Sequence, residues 1–312
     1  MQDLLERPTM PERAYVLITP ARNEEAYIEK TIKSVVSQTI LPKKWIIVND
    51  GSSDQTTDIV NEYTRQYDFI KLVNVSRRGE RNFGAKVRAI QYGYEHLGNT
   101  DFNFIGNLDA DVEFDATYYE KIFEKFYENP RLGIAGGIIV EYGGAKFMEQ
   151  NTSTNSVAGA VQFFRRQCYE GTNGYIPLEL GGEDVVVEVM ARKHGWKVQT
   201  FPELKVLHHR RVAAVNGKIL RGRFRQGVMN YSLGYHPFFQ FIRCLLRIKD
   251  KPYFVGSLMM LLGYFGASFL RYKRVVPGDF MQYLRSEQMS RLYSCFSVVR
   301  KHNVSKQTSI GR

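Results

Sequence analysis

The sequence predicts an α/β fold, in which a mainly parallel sheet is flanked by helices and followed by a helical, basic C-terminal region. From Ala14 onward, short apolar runs alternate with amphipathic stretches, as in strands joined by crossover helices. The 312 residues are 44% hydrophobic and 24% charged, which is typical of a globular enzyme. Residues 1–204 carry 23 basic and 29 acidic side chains, whereas residues 205–312 carry 20 and 3. This break in charge predicts two parts with different roles.

The three cysteines, Cys168, Cys244 and Cys295, are far apart in the chain and predict neither a disulfide framework nor a metal pair. A chain of this length buries enough surface to fold without such links. The N-terminal residues lack both a basic start and an apolar segment, so no secretory signal peptide is predicted. We therefore expect a protein of the cytoplasm, or of a membrane surface that faces it.

The first part of the chain predicts four strands, each followed by a helix. The strands are AYVLIT (14–19), WIIVND (45–50), IKLVNV (70–75) and FNFIGNLDAD (102–111). In the first helix Ile28, Ile32 and Val35 share one face at helical spacing. Sheets of this kind bind ligands beyond the carboxyl ends of their strands, so polar residues at those ends are candidates for a site.

Asp50 is the first candidate, because it ends the second predicted strand and precedes Gly51. One interpretation is that Asp50 caps the next helix, a common use of aspartate. The other is that its carboxylate accepts the N3–H of a pyrimidine, while Gly51 lets the backbone approach a nucleoside. The sequence pattern at this strand end leaves both interpretations open.

Asp109 and Asp111 form the second candidate, directly after the apolar residues of the fourth predicted strand. They are two residues apart, so in an extended chain both carboxylates project to the same side. Two such carboxylates favour Mg²⁺ or Mn²⁺, which leave coordination positions for diphosphate oxygens. A pair of loop aspartates also arises by chance, so this spacing alone does not establish a metal site.

Two further candidates lie later in the chain. Glu183 and Asp184 follow a glycine-containing turn and open a predicted helix, where acidic residues are also favoured by the helix dipole alone. KVQTF and ELKVLHHRR predict two short strands, and His208 shares a side of the second with Val206. A histidine in this place is either a core or surface residue or a metal ligand.

Five segments together resemble a family 2 glycosyltransferase of the GT-A fold. They are TPARNEEAYIEKTIKSVVSQT, IIVNDGSSDQTTDI, NFGAKVRAIQYG, NLDADVEF and GGEDVVVEVMARKHGWKV, in the order of the family. The resemblance implies a catalytic domain at 14–215, with a nucleotide-sugar binding half (14–112) and an acceptor half (113–215). An N-terminal tail (1–13) precedes this domain, and the basic C-terminal region (216–312) follows it.

The resemblance implies a role for each candidate residue. Around the base and ribose it places Pro20, Arg22, Glu24 and Asp50, with Arg88 near the nucleotide unless that arginine lies on a solvated helix face. Asp111 would be the more direct ligand of Mn²⁺ or Mg²⁺, Asp109 would be shared between metal and ribose, and His208, in preference to His209, would be a further ligand. Asp184 would be the catalytic base of an inverting transfer, held ionised by the helix N-terminus, and Glu183 would hydrogen-bond the acceptor or donor sugar.

The C-terminal region contains an uncharged stretch from Tyr253 to Leu270, 18 residues long. This length is at the lower limit for crossing a hydrocarbon core of ~30 Å, so the stretch lies on a membrane, spans it or forms a buried hairpin. Basic residues interleave with apolar ones in FFQFIRCLLRI, which fits amphipathic helices on anionic lipid. No nucleic-acid module is recognisable. We expect the protein at an anionic membrane surface, on the cytoplasmic face of the cell membrane.

The function predicted from these features is transfer of a sugar from a nucleotide-diphosphate sugar to a lipid-linked or cell-envelope glycan. UDP is the favoured carrier because Asp50 suits the N3–H of uracil. RGRFRQG lacks the tryptophan of the Q-x-x-R-W element of processive members, which predicts transfer of a single sugar. The alternatives are a polyprenyl-phosphate sugar transferase, whose acceptor needs little help from a base, and a non-catalytic membrane-surface scaffold.

Overall fold

The computed structural model describes residues 13–75, 83–142, 147–149, 153–209, 216–249 and 252–309. It divides the chain into two compact units, Met1–Val212 and Ala213–Arg312. The predicted tail at 1–13 lies almost wholly outside the described residues, as does the predicted boundary at residue 215. Both of these limits stay predictions.

The first half of the first unit alternates strands and helices in the predicted order. The strands are β1 (Tyr15–Ala21), β2 (Lys44–Asn49), β3 (Ile70–Asn74) and β4 (Phe104–Asn107), and the helices are α1 (Ile28–Val36), α2 (Thr56–Gln66) and α3 (Phe83–Glu95). The four strands pair in parallel in the order β3-β2-β1-β4. The predicted α/β class is therefore confirmed, with the polar strand ends on one edge of the sheet.

The second half of this unit extends the sheet with strands of both directions. Its elements are β5 (Val112–Phe114), α4 (Tyr118–Glu128), β6 (Leu132–Tyr142), β7 (Phe147–Glu149), β8 (Phe163–Arg165), α5 (Arg166–Gly171), α6 (Glu183–Lys193) and β9 (Lys197–His208). The sheet continues from β4 in the order β8-β6-β9-β5, with β7 paired to β6. β8 runs antiparallel to both of its neighbours, and β5 runs antiparallel to β9. The parallel character that the sequence predicted is thus concentrated in the first half.

Two strand predictions differ most from the structure. The strand predicted at 102–111 ends at Asn107, so Asp109 and Asp111 lie in the short connection to β5. The segments KVQTF and ELKVLHH, predicted as two strands, form the single strand β9. Its register against β6 shifts where Gly137 pairs with Phe201 and Ile138 with Lys205. This bulge accommodates Pro202, which cannot donate to a regular ladder.

Apolar residues cover both faces of the sheet. Tyr15 and Leu17 of β1 belong to one buried cluster, and the alternate residues Val16 and Ile18 belong to another on the opposite face. Strands of a parallel sheet covered on both faces are apolar on both sides, which explains the continuous apolar run of β1. This packing holds the strands rigidly beneath the loops that follow them. Cys168 belongs to the second cluster, where it is buried and free.

The second unit is helical, as predicted. Its helices are α7 (Asn216–Ser232), α8 (Pro237–Leu246), α9 (Tyr253–Phe269) and α10 (Gly278–Ser309). α7 and α9 cross very closely, because a Cβ on Gly227 would lie 2.1 Å from the carbonyl oxygen of Met260, and one on Gly263 would lie 2.0 Å from that of Phe224. Only glycine fits at these two positions. Among the described residues, no helix combines the length and apolar character needed to cross a membrane.

Candidate active site

A cleft lies at the carboxyl ends of β1, β2 and β4. Six residues predicted from the sequence line it, namely Pro20, Arg22, Glu24, Asp50, Asp109 and Asp111. Ala85, Lys86 and Ala89 of α3 also line this cleft. Parallel strands bring their carboxyl ends to one edge of a sheet, which is why residues far apart in sequence meet here.

The loops after β1 and β2 are tied together by hydrogen bonds. Asn23 Oδ1 accepts from the backbone N–H of Ser53 at 2.8 Å, and Ser52 Oγ accepts from that of Asn23 at 3.1 Å. Thr56 Oγ1 accepts from the backbone N–H of Glu24 at 2.8 Å. Asn23 has φ of 54°, a left-handed conformation that asparagine tolerates better than most residues. These bonds fix one wall of the cleft in a single shape.

Asp50 faces the cleft beside Arg22, whose Nη1 lies 3.8 Å from Asp50 Oδ2. The side chain of Asp50 is 15% exposed. Helix α2 begins at Thr56 and its N-cap is Gln55, so the interpretation of Asp50 as the cap of the next helix is wrong. The carboxylate of Asp50 instead lies directly after the carboxyl end of β2 and lines the cleft, where a ligand can reach it.

Asp109, Asp111 and His208 form a cluster whose ligand atoms all lie within 4.8 Å of one another. His208 Nε2 is 3.4 Å from Asp111 Oδ1, because β9 pairs with β5 and brings His208 opposite Val112. The hydrogen bond with Asp111 raises the pKa of His208, although burial acts in the opposite direction. Two carboxylate oxygens and one imidazole nitrogen can hold a divalent metal ion and leave positions for other ligands.

His209 lies outside this cluster. Its Nε2 is 2.8 Å from Glu113 Oε2, and its ring stacks on that of Tyr27 with 5.8 Å between ring centres. His208, the last residue of β9, and His209, which follows it, therefore have different partners. His208 is the one beside the aspartates.

Lys86 is the residue that the sequence interpretation missed. Its Nζ lies 2.6 Å from Asp109 Oδ1. Burial lowers the pKa of the Lys86 amine, but the carboxylates of Asp109, Glu183 and Asp184 outweigh burial and raise that pKa above its usual value. Lys86 therefore stays protonated among these acidic groups.

Arg88, the α3 residue predicted to lie near the nucleotide, is not among the cleft-lining residues. The cleft face of α3 is marked instead by Ala85 and Ala89, two small residues one helical turn apart. Small residues leave room for a ligand, so this spacing indicates in the sequence which face of α3 lines the cleft. Lys86 lies on that face. A nucleotide contact by Arg88 stays a prediction.

Glu183 and Asp184 begin α6, directly after Gly181 and Gly182, which have φ of 84° and 94°. The carboxylate of Asp184 packs against Gly159, where an added Cβ would lie 3.2 Å from Asp184 Oδ2. Only small residues leave this space for the carboxylate. Glu183 Oε2 is buried and has no hydrogen-bond partner within the described residues, so it can accept from a ligand hydroxyl.

Burial affects the pKa of both carboxyls. The helix N-terminus was expected to hold Asp184 ionised, but burial raises the pKa of Asp184 above its usual value. The hydrogen bond from the backbone N–H of Val185 to Asp184 Oδ1, at 2.8 Å, acts in the opposite direction and is the weaker effect. Burial likewise raises the pKa of Glu183. Loss of solvent thus outweighs the favourable backbone contacts.

Glu188, a buried residue of α6, accepts hydrogen bonds from a loop that also contacts the segment of Asp109. Its Oε1 accepts from the backbone N–H of Val157 at 2.6 Å and from Gln162 Nε2 at 3.1 Å. Between these two residues, the carbonyl oxygen of Ala160 accepts from the backbone N–H of Asp109 at 2.9 Å. We name residues 156–162 the bridging loop, because it joins α6 to the segment of Asp109.

The sequence matches the family model described as Glycosyl transferase family 2 over residues 16–179, more than half of the chain. A poly-beta-1,6-N-acetyl-D-glucosamine synthase of Staphylococcus epidermidis is 30% identical over 200 residues, which cover 57% of this chain and 44% of that protein. The synthase of the same name from Staphylococcus aureus strain COL is 27% identical over 201 residues, covering 58% and 46%. The chain thus spans less than half the length of these curated relatives.

Solved structures share the fold. Staphylococcus aureus TarS, residues 1–349 in complex with UDP-GlcNAc, aligns with a TM-score of 0.53 and 14% identity over 88% of this chain and 82% of that one. The mannosyltransferase PcManGT from Pyrobaculum calidifontis, in complex with GDP-Man and Mn²⁺, aligns with a TM-score of 0.52 and 15% identity over 91% and 82%. The likeness to these glycosyltransferases confirms the GT-A fold. Because the family match extends from β1 to the loop before α6, this chain belongs to glycosyl transferase family 2 and is a glycosyltransferase.

Proposed function

We propose that the cleft transfers a sugar, with inversion, from a nucleoside-diphosphate sugar to a hydroxyl group of a glycan, in a reaction that needs a divalent metal ion. The observation that carries this proposal is the cluster of Asp109, Asp111 and His208, whose two aspartates line the same cleft as Asp50. The TarS and PcManGT complexes, which contain UDP-GlcNAc and GDP-Man, support a nucleotide-sugar donor.

Asp50 would select the base of the donor. Its carboxylate accepts the N3–H of uracil, which makes UDP the favoured carrier, and Arg22 at 3.8 Å balances its charge. Gly51 has φ of 73° and nothing lies within 4 Å of the position of an added Cβ, so the backbone here is open to a nucleoside. Pro20 and Glu24 complete the wall on the side of β1.

Asp109, Asp111 and His208 would hold the metal ion. When bound, Mn²⁺ or Mg²⁺ neutralises the diphosphate and stabilises it as a leaving group. The imidazole nitrogen of His208 favours Mn²⁺ of the two, since Mg²⁺ prefers an all-oxygen shell. The Lys86 ammonium, held 2.6 Å from Asp109 Oδ1, adds a second positive charge on the diphosphate side.

Asp184 would accept the proton of the attacking hydroxyl. A base works best when its pKa approaches the working pH, and burial moves the pKa of Asp184 in that direction. Glu183, whose Oε2 is buried with no hydrogen-bond partner among the described residues, would accept a hydrogen bond from a sugar hydroxyl. Asp184, Glu183 and His208 all follow residue 179, the end of the family match, so these roles rest on geometry and chemistry.

A lipid-linked or cell-envelope glycan is the acceptor class we propose. The names of the curated relatives, which are synthases of poly-N-acetylglucosamine, support a polysaccharide acceptor. A polyprenyl phosphate is the second candidate, because a phosphate attacks without help from a base. The two acceptors differ in their need for Asp184.

A binding experiment tests the metal-dependent donor site. Calorimetry of UDP binding should give a markedly higher affinity with Mn²⁺ than without it, and Asp111→Asn should abolish that difference while the fold is retained. Asp101→Asn is the matched control, because this aspartate is 87% exposed and lies outside the cleft. Equal Mn²⁺-dependent affinity in the wild type and Asp111→Asn would exclude the proposed metal site.

A further inference from the structure

Helix α9 exposes most of its large apolar side chains, and its packed side buries Met260 and Tyr264 among small residues. The buried residues include Gly256, Gly263 and Ala267, which pack inside the second unit. The exposed residues are Tyr253, Phe254, Val255, Leu258, Leu262, Phe265 and Phe269, with exposed fractions from 41% to 89%. A surface helix of a water-soluble unit normally turns its large apolar residues inward. Most large apolar residues of α9 are instead exposed.

Helix α8 likewise exposes large apolar side chains and buries a polar one. Gln240 is fully buried and its Oε1 accepts from Asn230 Nδ2 at 2.9 Å. Phe238, Phe241 and Leu245 lie at intervals of three and four residues on the exposed face of α8. Two consecutive helices of one unit therefore expose several large apolar residues each. We call their exposed apolar residues the α8–α9 face.

Basic and tyrosine side chains border this face at both ends of α9. Lys249 and Tyr253 are exposed at its start, and Arg271, Tyr272 and Lys273 are exposed at its end. Residues 236–277 contain seven lysines and arginines and one acidic residue. Long basic side chains and tyrosines are the residues that lie at the boundary between hydrocarbon and lipid headgroups, because they have apolar bodies and polar tips.

We propose that the α8–α9 face docks onto the anionic surface of a bilayer, with both helices lying in the plane of the headgroups. Leu258, Leu262 and Phe265 would enter the boundary between headgroups and acyl chains, and Lys249, Arg271 and Lys273 would contact lipid phosphates. The proposal does not depend on the sugar-transfer reaction of the first unit.

Charge favours a lipid surface over a second copy of the chain as the occupant. Two copies joined through the same face would bring together their basic borders, and residues 236–277 of each copy supply one acidic residue to offset them. Anionic headgroups complement those borders and also accept the apolar residues between them. Self-association of the protein through this face is therefore the alternative that the experiment must exclude.

Flotation of the full-length protein with vesicles tests the proposal. The protein should float with vesicles that contain phosphatidylglycerol and much less with pure phosphatidylcholine vesicles. Changing Leu258 and Leu262 together to glutamine should weaken partitioning on the order of a hundredfold, because two apolar side chains no longer leave water. Changing Lys249, Arg271 and Lys273 together to glutamine should cost about fivefold per residue and remove the preference for anionic lipid.

Leu41→Gln is the matched control, since Leu41 is 46% exposed in the first unit and should not affect flotation. Circular dichroism and thermal unfolding confirm that each variant is folded. Wild-type protein that stays in solution with anionic vesicles at low salt would overturn the proposal. It would also be overturned if the leucine variant floated like the wild type, or if that variant only converted a lipid-free dimer to monomers. UDP binding in lipid-free buffer reports on the first unit separately.

Discussion

Lys86 lies near the carboxylates of Asp109, Glu183 and Asp184. The proposed reaction places these groups beside the diphosphate and the attacking hydroxyl. We predict that Lys86→Ala weakens binding of UDP in the presence of Mn²⁺ by about 10–100-fold, the usual loss for a charged hydrogen bond. Lys86→Arg should restore part of the affinity by returning the charge. Calorimetry compares these variants with Arg88→Ala, on the same helix. A larger loss in Arg88→Ala than in Lys86→Ala would return the nucleotide contact to Arg88.

Burial raises the pKa of Asp184, the residue that we propose as the general base. We predict that Asp184→Asn lowers turnover about 10²–10⁴-fold and leaves donor affinity nearly unchanged, because the carboxylate acts only on the acceptor proton. Turnover of the wild type should fall as pH decreases through the raised pKa, since a protonated carboxyl accepts no proton. Steady-state kinetics and UDP calorimetry separate the two effects. Loss of donor binding alone would place Asp184 in the nucleotide site, and full activity would favour a phosphate acceptor.

Glu188 connects helix α6 to the bridging loop, and its ionisation therefore affects the packing of two elements. Burial raises the pKa of Glu188 from the usual 4.5 to about 7, although the Val157 N–H and the Arg192 guanidinium partly offset burial. A carboxyl whose pKa is higher in the folded state stabilises the fold while it is protonated. That contribution is complete below pH 4.5 and is lost as pH rises through about 7.

The corresponding prediction concerns stability against pH. From pH 5 to 8, the free energy of unfolding of the wild type should fall relative to that of Glu188→Gln by about 2–3 kcal/mol, because the amide does not ionise. Urea unfolding at several pH values measures this difference. Glu170→Gln, at an exposed residue of helix α5, is the control for replacing a glutamate outside the bridging loop. A difference that is constant with pH would mean that Glu188 is already ionised at pH 5.

The helix pair α7–α9 shows how one element limits another. Gly227 and Gly263 allow the two backbones to touch, and this contact uses the small-residue side of α9. Most large apolar residues of α9 consequently remain exposed, although Met260 and Tyr264 are buried. The exposed α8–α9 face is therefore a result of how α9 packs, as well as of its composition.

The division of the chain into two units predicts how ligands affect thermal unfolding. UDP with Mn²⁺ should raise the melting temperature of the first unit, because a ligand at 100 times its Kd stabilises the folded state by about 2.7 kcal/mol. UDP without Mn²⁺ should have little effect, and the transition of Ala213–Arg312 should not shift. Calorimetric scans test this, with Asp111→Asn identifying the first unit by the loss of its shift. A shift that persists in that variant would contradict metal-dependent binding.

Local patterns were sufficient to predict the first four strands, the helices between them and the aspartates at the strand ends. These features depend on side-chain periods of 2 and 3.6 residues and on polar residues that follow apolar runs, and such patterns are complete within a short segment. The prediction of a helical, basic C-terminal region relied on composition in the same way. The Asp50, Asp109 and Asp111 positions needed only the general rule that parallel strands end at one edge.

Other features depend on contacts between residues far apart in the chain. The pairing of β5 with β9 puts His208 beside Asp111, while His209 next to it pairs with Glu113. The antiparallel pairing of β8 and the bridging loop held by Glu188 likewise have no local signal. The effect of burial on the pKa of Asp184 was not foreseen, because a helix N-terminus is visible in a short segment, whereas burial is not. Burial and cross-sheet neighbours arise only when distant segments pack together, so the tertiary structure alone decides them.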